Sequence, residues 1–322
     1  MPDPDAPVRP APSAARVGEL DALRGLAALA VVAFHYTTFY QQEVGHVQPL
    51  PFGFPAGNFG VHLFFLISGF VIFMTLERTR TALDFAVSRF SRLFPAYWVA
   101  MLLTAAVVYT VGMPRQQLPA ADVAANLTMV QEILGFEHLD GSYWTLQVEL
   151  FFYAQMVLWF ALGLLRHIRW IIAAWLVLAV VYGEAVQHQL HFSYTVRELL
   201  ILRHIPFFAI GILFYRLWSQ PRVDWRDLLL IALALAAVGV VQAPVYLLAG
   251  VVCTGIFALF VTGRLGWLRS RVFAFFGAIS YALYLLHQAI GFAVIHALEA
   301  RGVPSLAAVA LTTVGIILLA WG

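Results

Sequence analysis

Leu23-Arg-Gly-Leu-Ala-Ala-Leu-Ala-Val-Val-Ala-Phe-His35 is the stretch that decides the fold of this chain. It is apolar except for Arg24 and His35, which stand eleven residues apart. Eleven steps of an α-helix return almost to the starting angle, so the two side chains share one stripe, roughly 16 Å apart along the axis. That is about half the hydrocarbon thickness of a bilayer. One helix thus carries a cation near one membrane face and a titratable imidazole toward the other. Polar groups in hydrocarbon are costly, and they mark function by default.

The rest of the chain agrees. Of its 322 residues, 62% are hydrophobic and only 11% charged, with a mean hydropathy of +0.84. A soluble domain carries about a quarter charged residues. The expectation is an all-α, polytopic transmembrane helix bundle with little room for a soluble domain. All 19 basic residues are arginine. Without lysine there is no Schiff-base chemistry, which excludes retinal and pyridoxal sites. Cys253 is the single cysteine and can form no intrachain disulfide. The net charge of +2 points to no nucleic-acid partner. The first twenty residues, rich in Pro, Ala and Asp, read as a disordered cytoplasmic tail rather than a signal peptide. The transmembrane domain then runs over 21–322, and its end inside an apolar run reads as a truncation.

Apolar windows of about twenty residues mark ten spans: 22–40, 59–76, 93–112, 143–165, 170–187, 199–218, 227–242, 244–262, 276–298 and 303–322. Segment 82–91 is amphipathic and is expected to lie on the membrane surface. Arg9, Arg16, Arg78, Arg80, Arg89, Arg92 and eight further arginines fall on one side of this alternation. The other side holds Arg115, Arg301 and, at a span edge, Arg197. The positive-inside rule makes the first side, and both termini, cytoplasmic. Arg24 is then at the cytoplasmic end of its span and His35 in the outer half.

Glu149 is the one carboxylate deep in a predicted span. Counted from the outer ends of their spans, Glu149 and His35 lie at similar depth, about 9 and 8 Å. A His–Glu pair suits a general base held in one tautomer by a carboxylate; the plainer alternative is a polar pair joining two helices. Arg203 is placed to neutralise Glu149 or to bind an anionic group, or to form a structural ion pair. His62, His204, His287 and His296 show no metal-ligand spacing. They are read as core or channel-lining residues, and no metal is expected. Arg89 and Arg92, one helical turn apart at the face that carries Arg24, suit a phosphate-bearing ligand; positive-inside anchoring alone also explains such arginines.

Taken together, five segments in order resemble the acyltransferase 3 family of integral membrane acyltransferases. They are Leu20–His35 with its Arg-x10-His spacing, Gly60–Phe70, Arg89-Phe-Ser-Arg92-Leu-Phe-Pro95, Trp144–Glu149 and Ile279–His287. The resemblance covers about residues 20–300. It implies transfer of an acyl group, usually acetyl, from cytoplasmic acyl-CoA to a hydroxyl of a glycan, a lipid-linked sugar or another acceptor at the outer face of a bacterial inner membrane. Carried over, His35 is catalytic and Arg24, Arg89 and Arg92 belong to the donor side. His62 stands where the family commonly has Asp, so an acidic role there is not carried over. In the mechanism this suggests, His35 removes the acceptor proton and Glu149 orients it. Tyr143, Trp144, Thr145 or Ser68 would support the oxyanion. Residues alone leave a transporter open as an alternative. The acceptor and the oligomeric state are not legible.

Overall fold

A computed structural model describes residues 17–322. The predicted tail therefore falls almost wholly outside the described residues, and so do Arg9 and Arg16. Within them the chain is helical throughout and has no strand. The principal helices are α1 (Gly18–Phe34), α2 (Gly60–Leu76), α3 (Ala82–Val111), α4 (Trp144–Ala161), α5 (Ile168–Gln187), α6 (Ile205–Ser219), α7 (Trp225–Val241), α8 (Pro244–Val261), α9 (Arg271–Leu286), α10 (Gln288–Glu299) and α11 (Ser305–Trp321). Each of the ten predicted windows falls on a helix. Five stretches are long and apolar enough to cross a membrane: Gly18–Glu43, Pro55–Leu76, Ala82–Val111, Leu165–Gln187 and Pro244–Val261. The bent pair α9–α10 makes a sixth. The chain is a multi-pass membrane protein.

Three departures from the predicted layout matter. First, α1 does not run on regularly to residue 40. From His35 to Phe39 the backbone widens into a π-helical turn before one more α-turn, Tyr40–Glu43. Second, 82–91 is no separate surface segment. It is the first third of α3, a continuous 30-residue helix through Pro95, capped by Thr81, whose side chain accepts from the Asp84 amide. Third, the window 276–298 is broken by 72° between α9 and α10, with His287 at the break.

Small residues let the functional helices touch. A Cβ on Gly25 would lie 2.6 Å from the Phe276 carbonyl carbon, and one on Gly277 would lie 2.5 Å from the Asp21 carbonyl oxygen. Hence α1 and α9 pack backbone to backbone at the level of Arg24. Gly69 of α2 and Gly211 of α6 meet the Phe208 and Leu66 carbonyls in the same way. Close approach through small residues is how helices associate where lipid removes the hydrophobic drive. Cys253 is buried in α8.

Candidate active site

The π turn, the bend and the start of α4 converge on His35. A π-helical turn inserted in an α-helix is a frequent mark of a functional site. Here it begins at His35 itself, whose ring packs edge-on against Phe34, Phe39 and His287. The His35 Nδ1 lies 2.9 Å from the Val31 carbonyl and 3.2 Å from His287 Nε2. His287 Nδ1 lies 2.7 Å from the Tyr284 carbonyl. A carbonyl only accepts, so both histidines carry their proton on Nδ1. His287 Nε2 is then an acceptor and shares the His35 Nδ1–H with Val31. This leaves His35 Nε2 unprotonated, and the Gln288 side chain is a further hydrogen-bonding neighbour of the ring.

The break at His287 leaves backbone groups that must be satisfied inside the protein. The Asp140 carboxylate does so across three elements. One oxygen accepts from the Ser142 amide and hydroxyl, at 2.8 and 2.5 Å, and the other from the Ala289 amide at 2.7 Å. The Gln116 side chain donates to the Ala289 carbonyl, and the Tyr36 hydroxyl donates to the His287 carbonyl at 2.7 Å. Asp140 is wholly buried, and burial raises its pKa above the ordinary carboxylate range.

Glu149 is elsewhere. Its Oε1 accepts from Ser68 and from Tyr153, each at 2.5 Å. The expected His35–Glu149 pair does not form, because equal depth was counted from span ends taken to be level. Asp140, Ser142 and Tyr143 are themselves buried, so α4 begins inside the protein. Its first turn reaches the bend: the Thr145 hydroxyl donates to the Ser142 carbonyl and meets the Tyr284 hydroxyl at 2.8 Å. Glu149, one turn further on, is carried toward the Arg24 end. Arg203 is exposed and forms no ion pair with Glu149 among the described residues; its carbonyl accepts from Gln242.

A cavity of ≈ 80 Å³ opens beside Glu149; His35, His287 and Asp140 are not in its lining, and Tyr284, which is, packs against His287. The cavity is lined by Arg24, Arg92, Ser68, Glu149 and Tyr153, and also by Thr145, Ser280, Tyr281 and Tyr284. Arg24 has Arg92, Glu149, Tyr153 and Asp21 as its electrostatic neighbours. Arg89 is next door, in a second hollow that shares Leu93 and Tyr153, with its guanidinium over the Phe85 ring. Its Nε is buried with no hydrogen-bond partner among the described residues. Tyr143 and Trp144 do not line the cavity. The Tyr143 hydroxyl is buried near Thr104 and the Leu285 carbonyl, and Trp144 packs on Phe65 and His204. His62 sits among Phe59, Phe65, Phe207 and Tyr246. Among the described residues, no group of three or more His, Cys, Asp or Glu is arranged to hold a metal ion.

A family model described as an acyltransferase domain, that of the acyltransferase 3 family, matches residues 17–322. The chain belongs to the acyltransferase 3 family. It is 28% identical over 318 residues to "Acyltransferase MdmB" of Streptomyces mycarofaciens, a match covering 86% of this chain and 79% of that protein. It is 29% identical over 153 residues to "O-acetyl transferase" of Shigella phage Sf6, covering 41% of this chain and 43% of that one. A shorter match, 36% identical over 104 residues, is to "Protein 2 in picA locus" of Rhizobium radiobacter, covering 30% and 49%. No solved structure is significantly similar. As a family member the chain is a membrane acyltransferase, an enzyme for groups other than aminoacyl.

Sequence reasoning on this acyltransferase missed His287, Asp140 and Tyr36. His287 closes the fifth motif, but its partner lies 252 residues away. Asp140 sat just outside a predicted span, where a carboxylate reads as solvated. Asp-Gly-Ser before a helix start is a capping signal, and it was the one local clue.

Proposed function

We infer that this acyltransferase moves a short acyl group, acetyl in the simplest case, from acyl-CoA to a hydroxyl of a glycan or lipid-linked sugar. His35 acts as the general base. The observation that carries this reading is the hydrogen-bond order Tyr284 carbonyl–His287–His35, which leaves His35 Nε2 unprotonated and able to accept. Arg24 and Arg92 give the cavity two cations, and Arg89 offers a third with an unpartnered N–H. This suits the phosphates of a nucleotide-bearing thioester held on the cytoplasmic side.

The chemistry follows from these placements. The acceptor oxygen attacks the thioester carbonyl carbon as His35 Nε2 takes its proton. The imidazolium that forms is stabilised through its Nδ1–H by the Val31 carbonyl and His287 Nε2. The new C–O bond gives a tetrahedral oxyanion. The Tyr284 hydroxyl lines the cavity; at rest it donates to Thr145, whose own proton goes to the Ser142 carbonyl, and it would turn from Thr145 to the oxyanion. Collapse breaks the C–S bond, and His35 returns its proton to the departing CoA sulfur. Glu149 balances the Arg24–Arg92 charge and holds Ser68 and Tyr153 in place. On this reading the enzyme works in a bacterial inner membrane.

Membranes holding wild-type or His35→Ala protein, given radiolabelled acetyl-CoA, test this reading. Label in a glycan or lipid fraction should fall at least 10²-fold in the variant, the usual worth of a general base. Equal labelling with equal amounts of folded protein would sink it.

A further inference from the structure

Acyl transfer as described makes no use of His46, whose side chain is buried. His46 lies in the loop after the Tyr40–Glu43 turn, and Glu299 ends α10. Their side chains are 0% and 1% exposed, with His46 Nδ1 2.7 Å from Glu299 Oε1. The other ring nitrogen, Nε2, is 2.9 Å from the Tyr36 carbonyl. That carbonyl only accepts, so Nε2 carries a proton, and the Nδ1–carboxylate contact holds a second proton between its partners. The pair is thus net neutral and closed to water. Such pairs are costly to desolvate and weak sources of stability; where they are kept, fixing a geometry is a better-founded role.

The geometry here is that of the π turn. Tyr36 is its second residue, and a π turn releases carbonyls from the regular ladder. His46 takes up the Tyr36 carbonyl. The Tyr36 hydroxyl in turn holds the His287 carbonyl at 2.7 Å, and a Cβ on Gly291 would collide with that same hydroxyl, so the ring is wedged. His287 then receives His35. Glu299 is itself fastened to the turn, since the Tyr40 hydroxyl lies 3.4 Å from its second oxygen, and Gln41 Oε1 accepts from the His46 amide at 3.2 Å. The sequence His46–Tyr36–His287–His35 closes on itself.

We propose that His46, through its pair with Glu299, is a positioning residue that fixes the π turn so that His35 seats against His287 with Nε2 unprotonated. The proposal rests on the reading of His35 as the base. Its test therefore has a readout that needs no activity: the rate at which diethyl pyrocarbonate modifies His35, followed by peptide mass spectrometry on the whole protein in lipid nanodiscs. The internal control is His188, whose side chain is 73% exposed. In His46→Ala the His35 rate should change at least fivefold with the His188 rate unchanged. His46→Gln, which keeps a donor for the Tyr36 carbonyl, should return it to within about twofold. Transfer of radiolabel from acetyl-CoA should fall about 10–100-fold in His46→Ala, the usual cost of losing a group that orients a reacting residue, with the KM for acetyl-CoA unchanged. A His35 rate within twofold of wild type in folded His46→Ala overturns the proposal, and so does a changed rate with undiminished transfer. If His46→Ala does not fold, Glu299→Gln, which keeps the volume, decides by the same criterion. Should His35→Ala prove active, the base assignment fails, and the modification rates still decide whether His46 sets the His35 ring.

Discussion

Replacing His287 by alanine removes the second acceptor for the His35 Nδ1–H and leaves the Val31 carbonyl at 2.9 Å as the first. In the resting enzyme that bond joins two neutral rings and is worth about 1 kcal/mol. In the transition state His35 is an imidazolium, and a bond from a charged donor is worth about 1.5–3 kcal/mol. Only the difference slows the chemistry. That difference is about 0.5–2 kcal/mol, or roughly 2–30-fold in kcat at 1.36 kcal/mol per decade. Loss of ring orientation adds to it, so a fall of about 10–50-fold is expected, with the KM for acetyl-CoA unchanged. His287→Asn should lose less than alanine, because its amide oxygen offers an acceptor to Nδ1–H. The assay is turnover per mole of folded protein in nanodiscs, with the folded fraction taken from size exclusion. A kcat within twofold of wild type, or a loss carried wholly by KM, would refute the shared-proton arrangement.

Other consequences can be checked in parallel. Arg24→Ala and Arg92→Ala should each raise the KM for acetyl-CoA about tenfold, or roughly 1.4 kcal/mol, with the smaller salt dependence in the variants; an unchanged KM in both would remove the donor from this cavity. Glu149→Ala strands the Ser68 and Tyr153 hydroxyls, so a stability loss of about 2 kcal/mol or more is expected, and Glu149→Gln should lose less; thermal unfolding in detergent reads both. Gly211→Val drives a side chain into the Leu66 carbonyl and should abolish folded protein, which membrane yield reports. In the loop before Asp140, hydrogen bonds from His138 and then Tyr194 hold the Glu132 carboxylate down to about 2 from its ordinary 4.5. A depressed carboxylate contributes stability above its unfolded pKa and loses it as pH falls through the folded one. Protection of residues 130–140 from proteolysis should therefore persist at pH 6 and fade between about 4.5 and 2; protection that is flat across that window would contradict this.

How much was legible beforehand differs by element. The helix class and a helix under every predicted window followed from hydropathy and a 3.6-residue period. So did the nearness of Arg24 and Arg92, since both were assigned to one membrane face. The partner of His35 was not legible. Depth along a span can be counted, but azimuth and the level at which a helix starts cannot. The turn Gly141–Tyr143, buried at Ser142 and Tyr143, lowers α4 into the protein and takes Glu149 away from His35. The 72° break at His287 has no proline to announce it; it is held by Asp140, whose oxygens reach the turn Gly141–Tyr143 and α10 at once. The π turn likewise leaves no local mark, because its released carbonyl is met by His46, ten residues on.

The central claim is that His35, as general base, serves transfer of an acyl group from a donor on the Arg24 side to an acceptor on the opposite side. Sealed inside-out vesicles given radiolabelled acetyl-CoA test it most directly. The account predicts labelled acceptor inside the lumen, protected from added hydrolase, absent from right-side-out vesicles and lost in His35→Ala. Luminal labelling that persists at the wild-type level in His35→Ala would contradict it.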